Sequence, residues 1–311
     1  MRIGFVGDRG HSAVLKRITQ DHDVKTEIRI FNPKRLSDDL YSETFSSLMD
    51  ECDAVMIASP NDTHSAYLSQ ILESEYSGYV LCEKLPVSLV EDLKILERMN
   101  HEKTFYNFNL RHGILGSEIR SLIQCGDLGS PIHFSAELTH GLAFKKSSVN
   151  SWRFSGSGRE ILNTVGSHLL DFCAWSLDDS PSNVSAVWSS FSPLEKIDTV
   201  TIQGELSSGA SINLISSYAS CFSFAMRVIL TDGRIEFDGN EIRVYGPRDT
   251  FDSSGLFTNP KQTQMIMIHD PFGESLRTSV FKFLNTVKSN GSFEEKDHRL
   301  SISTNSAILE C

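Results

Sequence analysis

A carboxylate and an ammonium stand side by side at Glu83 and Lys84, directly after an apolar run from Tyr79 to Cys82. The run predicts a buried parallel strand, and Pro86 prevents that strand from continuing. Open α/β sheets bind ligands at the carboxyl ends of their strands, and a lysine there can exchange a proton because its pKa falls readily on desolvation. A surface salt bridge at a loop is the alternative interpretation of these two residues alone.

A glycine-containing turn follows the first predicted strand, Arg2 to Val6, and leads into a helix that begins at Ala13. The turn reads Gly7-Asp8-Arg9-Gly10-His11-Ser12. In this context, backbone N–H groups and the helix N-terminus can hold a pyrophosphate. The match to the dinucleotide fingerprint is imperfect, because Arg9 and Ser12 replace its second and third glycines. Arg9 either restricts the close approach of the backbone to the phosphates or adds a positive charge beside them. Gly10 allows a shifted turn. A plain βα turn that binds no ligand is the alternative.

The second predicted strand, Glu27 to Phe31, ends at Asn32-Pro33-Lys34-Arg35. An acidic residue usually holds the ribose hydroxyls of NAD at this place. Asn32 is neutral, and the cations Lys34 and Arg35 follow it, so the composition leans towards a 2′-phosphate and hence NADP over NAD. Solvated charges at a helix start are the equally weighted alternative.

The third predicted strand, Ala54 to Ala58, is followed by small and polar residues. They are Ser59, Pro60, Asn61, Asp62, Thr63 and His64. Together with Ala58 they can face a nicotinamide ring or its ribose, although His64 fits a helix start without a ligand equally well. A helix over Val87 to Met99 and a strand over Thr104 to Phe108 complete an alternating pattern. Residues 1–120 are therefore predicted to form a doubly wound parallel sheet, the Rossmann type.

Short strands and tight turns dominate residues 121–311, which predicts a second, α+β domain with a large and mostly antiparallel sheet. A helical stretch from Glu160 to Ser176 interrupts the strands. Phe251 to His269 has little pattern and is expected to be a loop or lid. Helices are expected from Pro271 to Ser289 and from Asp297 to Glu310, the last one packing back on the first domain.

Composition excludes several function classes. The 311 residues contain 29 Lys and Arg against 40 Asp and Glu, a net charge of −11, which argues against general nucleic-acid binding and anionic membranes. No apolar run approaches the roughly 20 residues of a membrane span, and the chain begins with a strand instead of a signal peptide. Six cysteines without a Cys-x-x-Cys pair indicate reduced thiols, no metal site and a cytoplasmic location.

These motifs, in this order, resemble the Gfo/Idh/MocA family, the glucose-fructose oxidoreductase and inositol dehydrogenase group, over nearly the whole chain. The stretches that carry the resemblance are Gly4 to Ser12, Ala58 to His64, Cys82-Glu83-Lys84 and Gly158 to Asp171, supported by Asn109-Leu110-Arg111 and Gly126-Asp127-Leu128-Gly129. In this family the Glu-Lys pair is followed by proline, whereas here Leu85 intervenes before Pro86.

The resemblance implies that Lys84 is the catalytic lysine near the nicotinamide, with Glu83 beside it. It also implies that His168 is the acid/base. The family commonly has Asp-x-Gly-x-His, but here Thr164 stands at the aspartate position, preceded by Asn163. His168 therefore lacks one partner that would raise its pKa, while Asn163 and Thr164 can still hydrogen-bond a sugar hydroxyl of the substrate.

Two further positions follow from the resemblance. Trp152 and Arg153 match a segment that lines the substrate pocket, and Arg153 can hold a carboxylate or phosphate through two hydrogen bonds. A surface ion pair is the alternative for Arg153. Arg111 is expected to be structural, bridging the domains.

The implied function is an NAD(P)-dependent oxidoreductase that moves a hydride between nicotinamide and a carbinol or carbonyl carbon of a sugar or sugar derivative, including nucleotide-linked sugars. A homodimer or homotetramer through the second sheet is expected. The alternatives are a non-catalytic sugar- or dinucleotide-binding relative with a degenerate site, and a redox-neutral enzyme that holds its nucleotide tightly.

Overall fold

The computed structural model describes residues 1–35, 39–147, 151–154, 159–247 and 251–311. The chain forms two compact units. The first consists of Met1–Asn109 and Leu276–Leu309, and the second of Leu110–Ser275 with Glu310–Cys311. Each unit is built around its own β-sheet.

Strands and helices alternate in the first third of the chain and strands dominate the later part. The strands are β1 (Arg2–Val6), β2 (Glu27–Phe31), β3 (Ala54–Ile57), β4 (Tyr79–Glu83), β5 (Thr104–Asn107), β6 (Pro131–Thr139), β7 (Pro181–Ser189), β8 (Thr199–Leu206), β9 (Ser211–Ser217), β10 (Ser223–Leu230), β11 (Arg234–Phe237), β12 (Glu241–Tyr245) and β13 (Gln262–Met267). The α-helices are α1 (His11–His22), α2 (Phe45–Glu51), α3 (His64–Glu73), α4 (Leu93–Arg98), α5 (Ile114–Gln124), α6 (Ser167–Leu177), α7 (Pro271–Lys288) and α8 (Glu295–Glu310). Within the described ranges, no helix has both the length and the apolar composition needed to cross a membrane.

The sheet of the first unit is parallel and has the strand order β2-β1-β3-β4-β5. Its central strands are apolar at nearly every position because both faces are covered. Phe5, Met56 and Leu81 pack in one core with Phe283 and Leu284 of α7. The predicted doubly wound parallel sheet is confirmed, and the strand order reverses between β1 and β3, where such sheets bind ligands.

The sheet of the second unit has the order β13-β12-β11-β10-β6-β9-β8-β7. Its neighbouring strands are antiparallel except for the parallel pair of β6 and β9. Buried and exposed side chains alternate along β10, from Phe224 to Leu230. The predicted second, mostly antiparallel sheet is thereby confirmed.

Two local predictions were wrong. The helix expected from Val87 to Met99 is a 3-10 turn at Val90–Asp92 followed only by α4. The reason lies at Val87, whose backbone N–H and C=O are both bonded to the side-chain amide of Asn305 and so are not available to a helix. The patternless stretch after residue 251 contains β13, which pairs with β12 at the sheet edge. Most side chains of β13 are exposed, so the strand carries no alternation of apolar residues.

Candidate active site

The glycine turn lies at the carboxyl end of β1. Gly7 has φ +104°, and a Cβ atom there would lie 3.2 Å from the carbonyl oxygen of Ala58, so both the turn and the close approach of β3 require glycine. Ser12 is buried and donates a hydrogen bond of 2.7 Å to the carbonyl oxygen of Gly7. Gly10 provides the second left-handed residue, with φ +56°, one residue later than the fingerprint has it. The side chain of Arg9 is 85% exposed, and its Nε lies 4.0 Å from Oδ1 of Asp8 in the same turn.

Asp8 connects this turn to the end of β2. Its nearly buried carboxylate lies 3.3 Å from Nε of Arg35 and accepts a 3.4 Å hydrogen bond from the hydroxyl of Tyr41. The guanidinium of Arg35 also stacks over the Tyr41 ring at 5.4 Å. Asn32 accepts a hydrogen bond from the N–H of Lys34, whose side chain is exposed. The two cations of the sequence prediction therefore differ: Asp8 pairs with one and the other faces solvent.

The polar residues after β3 form a compact 3-10 turn, Asn61–Thr63, that leads into α3. The hydroxyl of Thr63 donates to the carbonyl of Pro60, and Ser59 in turn bonds to Thr63 at 2.6 Å. His64 is fully buried, with Nδ1 2.8 Å from the carbonyl oxygen of Leu85 and Nε2 2.9 Å from that of Ser59. Burial lowers the pKa of His64, against the opposite effect of the two carbonyl oxygens. This placement favours a bracing role for His64, joining β3 to the loop after Lys84.

Glu83 ends β4 at the centre of a hydrogen-bond network. Its residue exposure is 8%, and its Oε1 accepts a 2.6 Å bond from Nδ2 of Asn107, the register partner on β5. Ser279 of α7 donates 2.8 Å to Oδ1 of Asn107, which fixes that amide. Nε2 of His11 lies 3.0 Å from the same Glu83 oxygen. Although burial alone would raise it, the pKa of Glu83 is lowered by His11 and by the hydrogen bonds that the carboxylate accepts.

Lys84 is half-buried and directly follows this network. The peptide bond from Lys84 to Leu85 is cis. Leu85, Pro86 and Val87 are buried, and Asn305 of α8 holds the Val87 backbone from both sides. The loop that carries the lysine is thus fixed by His64 at the start of α3 and by Asn305 of α8. Because the loop is held, little backbone entropy is lost when Lys84 meets a ligand, and the remaining cost is that of ordering its side chain.

In the second unit, a π-helical turn, Leu162–Gly166, directly precedes α6. Gly166 packs tightly on the sheet, because a Cβ atom there would lie 3.1 Å from Cδ1 of Ile202 on β8. Ser167 donates a 2.7 Å bond to the carbonyl of Asn163. Single π-turns within α-helices occur frequently at functional sites. This turn carries Thr164, which replaces the aspartate of the family motif, and Asn163, which precedes it.

Thr164 is joined to Tyr218, which follows β9. The Thr164 hydroxyl bonds to the carbonyl oxygen of Glu160 and to the hydroxyl of Tyr218. Arg153 also hydrogen-bonds to Tyr218. A guanidinium only donates hydrogen bonds and a carbonyl only accepts them. Arg153 therefore donates to Tyr218, Tyr218 donates to Thr164, and Thr164 donates to the carbonyl of Glu160.

Burial and contacts with two aromatic rings hold Tyr218 in place within this series of hydrogen bonds. It is 1% exposed, and its ring lies 4.9 Å from that of His140 and 5.5 Å from that of Phe154. Burial raises the pKa of Tyr218, against its hydrogen bonds with Thr164 and Arg153, so the phenol stays protonated. Burial together with the cations Arg153 and Lys145 lowers the pKa of His140.

His168 is the second residue of α6 and is half-buried. One turn later, Asp171 accepts two hydrogen bonds from the guanidinium of Arg111, one of 2.8 Å from Nε, and both side chains are buried. Arg111 therefore has a structural role, as expected. It was expected to bridge the domains, whereas its bonds to Asp171 of α6 lie within the second unit.

The predicted residues fall into two groups. The first unit collects the glycine turn, the ends of β2 and β3, and Glu83 with Lys84. The second unit collects Arg153, the π-turn and His168. The side chain of Trp152 and the residue Gly158 lie outside the described residues.

Sequence reasoning missed two residues. Asn107 had a usable signal, since it is a polar residue at the end of the strand next to β4. Tyr218 had none, because 54 residues separate it from Thr164 and only the fold joins them.

Two family models match this chain, one in each of its two units. Residues 13–106 match the family model described as oxidoreductase family, NAD-binding Rossmann fold, and residues 117–236 match the GFO/IDH/MocA C-terminal domain. The first match begins just after the glycine turn, the part of the chain that departs most from the fingerprint.

Among curated proteins, the chain is 25% identical over 194 residues to glucose-6-phosphate 3-dehydrogenase of Bacillus subtilis (strain 168). This match covers 57% of the chain and 54% of that protein, so it spans about half the length of the relative.

Among solved structures, levoglucosan dehydrogenase in complex with NADH and levoglucosan shares the fold, with a TM-score of 0.76, 16% identity, and coverage of 100% of this chain and 96% of the other. UDP-N-acetylglucosamine 3-dehydrogenase GnnA from Acidithiobacillus ferrooxidans is similar, with a TM-score of 0.74, 19% identity, and coverage of 100% and 96%. With both family models matched in the expected order, the chain belongs to the Gfo/Idh/MocA family of oxidoreductases.

Proposed function

We propose that this protein is an NAD(P)-dependent dehydrogenase that transfers a hydride between nicotinamide and a CH–OH or carbonyl carbon of a sugar or sugar derivative. The observation that carries the proposal is the position of Lys84, directly after Glu83 at the carboxyl end of β4 in an NAD-binding domain. The named relatives act on a sugar phosphate, an anhydrosugar and a nucleotide sugar, which supports a carbohydrate substrate.

The residues of the first unit fit a dinucleotide. The space beside Gly10 is open, since nothing lies within 4 Å of a Cβ atom built there, and α1 begins at the next residue. A pyrophosphate can therefore approach the backbone N–H groups of the turn. At the end of β2, Lys34 and Arg35 favour NADP over NAD, with Asp8 holding the Arg35 guanidinium beside Tyr41.

When bound, the nicotinamide accepts or supplies the hydride. Lys84 donates a hydrogen bond to the reacting oxygen of the substrate, and the Glu83 network keeps the ammonium-bearing loop in position. His168 takes up the hydroxyl proton in the direction of oxidation and returns it in the direction of reduction.

Arg153 and Asn163 bind substrate oxygens in this proposal. Arg153 is the donor at the start of the hydrogen-bond chain through Tyr218 and Thr164, so the phenol of Tyr218 helps to orient its guanidinium. An oriented guanidinium suits an anionic group of the substrate, either a carboxylate or a phosphate.

Two assays in sequence test the proposal. Protein fluorescence is titrated with NAD, NADH, NADP and NADPH, and the absorbance of reduced nicotinamide is then followed with sugars, sugar phosphates and nucleotide sugars. We expect saturable binding of a dinucleotide and turnover with at least one class of sugar. No saturable binding at millimolar concentrations would remove the dehydrogenase proposal.

A non-catalytic or redox-neutral role is the second candidate, and Thr164 favours it. The hydroxyl of Thr164 supplies no negative charge to His168, and it is committed to Glu160 and Tyr218. Tight dinucleotide binding without net reduction by any sugar would support this candidate. Isotope exchange from C–H of the sugar into solvent or cofactor separates a redox-neutral enzyme from a binding protein.

We also propose that the second sheet pairs subunits. Exposed apolar side chains lie along a face of β7, β9 and β10, at Val187, Ile215 and Ile229. The register places Val187, Thr201 and Ile215 in one row of that face. Replacing Ile215→Lys should lower the mass measured by light scattering, whereas an unchanged mass would exclude this face as the interface.

A further inference from the structure

The imidazole of His11 joins the glycine turn to the end of β4. We propose that His11 is a dinucleotide-binding cation: its imidazolium, held by Glu83, donates to a phosphate oxygen of the bound dinucleotide and makes the affinity fall as the pH rises. This inference rests on the proposed dinucleotide site and adds a charged residue to it.

The contact of one ring nitrogen with Glu83 fixes the imidazole of His11. Nε2 of His11 lies 3.0 Å from Oε1 of Glu83, and that oxygen is itself held by Asn107 at 2.6 Å. An ionised carboxylate only accepts, so Nε2 carries a proton in either charge state. The side chain of His11 is 47% exposed, which leaves its outer edge accessible to a ligand that lies over the turn.

The second nitrogen is the one that changes. With Nε2–H fixed on Glu83, Nδ1 is a donor in the imidazolium and only an acceptor in the neutral ring. Phosphate oxygens only accept. Loss of one proton therefore removes both a positive charge and the donor itself, and it places a lone pair against the phosphate.

The charges around the ring favour the protonated form. Glu83 raises the pKa of His11, against burial and the nearby Lys84, which lower it. On its own turn, Asp8 is engaged by Arg35 and approached by Arg9, and Lys16 of α1 donates to the Asp8 carbonyl. From α3, His64 is buried between two carbonyl oxygens.

The test is the dissociation constant of NADH, measured by fluorescence from about pH 6 to about pH 9, the range in which a histidine titrates. NADH is used because its pyrophosphate stays ionised, whereas the 2′-phosphate of NADPH titrates near pH ~6. His11→Gln keeps an N–H donor for Glu83 but does not titrate. His22→Gln, in the last turn of the same helix, is the matched control.

We expect the affinity of the wild-type protein and of His22→Gln to fall about three- to tenfold over this range, as for one partly solvated charge on a phosphate. His11→Gln should bind weakly and independently of pH. Glu83→Gln should move the midpoint to lower pH, because it removes the charge that raises the pKa of His11.

A wild-type affinity that does not change with pH, or a His11→Gln protein with the wild-type profile, would overturn the assignment of His11 while leaving the dehydrogenase proposal intact. Failure of the folded wild-type protein to bind NADH at any pH would overturn both.

Discussion

The hydroxyl of Tyr218 donates a hydrogen bond to the hydroxyl of Thr164, at the position where the family commonly has an aspartate. Tyr218 lies just after β9 and Thr164 in the π-turn before α6, so the bond ties the turn to the sheet. The same phenol accepts from Arg153. At the position of the family's aspartate, Thr164 therefore accepts a hydrogen bond from a buried phenol, and neither residue carries a charge.

Tyr218→Phe should separate substrate binding from cofactor binding. It leaves Arg153 and Thr164 without the phenol, which we expect to cost about 1–3 kcal/mol in the free energy of unfolding. The KM for the sugar should rise because Arg153 loses its orientation, while the dissociation constant of NADH stays unchanged. Urea unfolding, steady-state kinetics and NADH titration measure the three effects.

Tyr245→Phe is the control, since the ring of Tyr245 on β12 stacks under the guanidinium of Arg234 on β11. A sugar KM that stays the same in Tyr218→Phe would show that the hydroxyl serves only the stability of the fold.

Lys84→Ala should reduce turnover by roughly two to four orders of magnitude, the usual range for a group that handles a proton. The melting temperature should change little, because the buried network is centred on Glu83. Lys103→Ala, next to β5, provides a lysine control. A large loss of stability with turnover intact would identify Lys84 as half of a structural salt bridge.

Lys34→Ala combined with Arg35→Ala should reverse a preference for NADP over NAD, because the double change removes both cations that follow β2. Dissociation constants of NADPH and NADH for the wild-type and double-variant proteins check this. Asp8→Asn is a useful companion, since it removes the negative charge that offsets Arg35 while leaving an amide beside the guanidinium, and it should strengthen NADPH binding. Equal ratios of the two constants in all three proteins would exclude a 2′-phosphate contact at this place.

The His11–Glu83 pair should also appear in the pH dependence of stability. The pKa of His11 is raised above 6.5, so its contribution is complete below that value and is lost as the pH rises through the folded-state pKa. The pKa of Glu83 is lowered from 4.5, so its contribution is complete above that value and is lost as the pH falls through the folded-state pKa.

The difference in unfolding free energy between wild type and His11→Gln should therefore be greatest between these two pH values. Because His11 is half-exposed, we expect at most about 1 kcal/mol. Urea unfolding at several pH values measures it, and a difference that keeps growing above neutral pH would contradict the pairing.

Local patterns were enough to predict the sheet of the first unit and the place of Lys84. Apolar runs bounded by glycine, proline and polar residues indicate buried parallel strands, and the ends of such strands meet at one edge. The same reasoning could not foresee the start of α4. There, a buried asparagine more than 200 residues later in the chain, Asn305, takes the backbone bonds of Val87 that a helix would need.

Partners in the candidate site were harder to predict than its residues. His11 and Glu83 were both named from the sequence, but their bond depends on how β4 lies beside α1. Tyr218 follows a strand whose register sets its position, and no spacing along the chain indicates Thr164 as its partner. Periodicity reports which face of an element is buried, and it carries no information about which distant side chain meets it.

The most direct test of the central claim is the rate of nicotinamide reduction by a panel of sugars, sugar phosphates and nucleotide sugars, measured for the wild-type, Lys84→Ala and His168→Asn proteins. A dehydrogenase that uses both groups should reduce the dinucleotide with at least one class of sugar. Each variant should lose most of that rate while binding NADH with the wild-type dissociation constant. Tight NADH binding with no reduction by any sugar, or variants as active as the wild type, would contradict it.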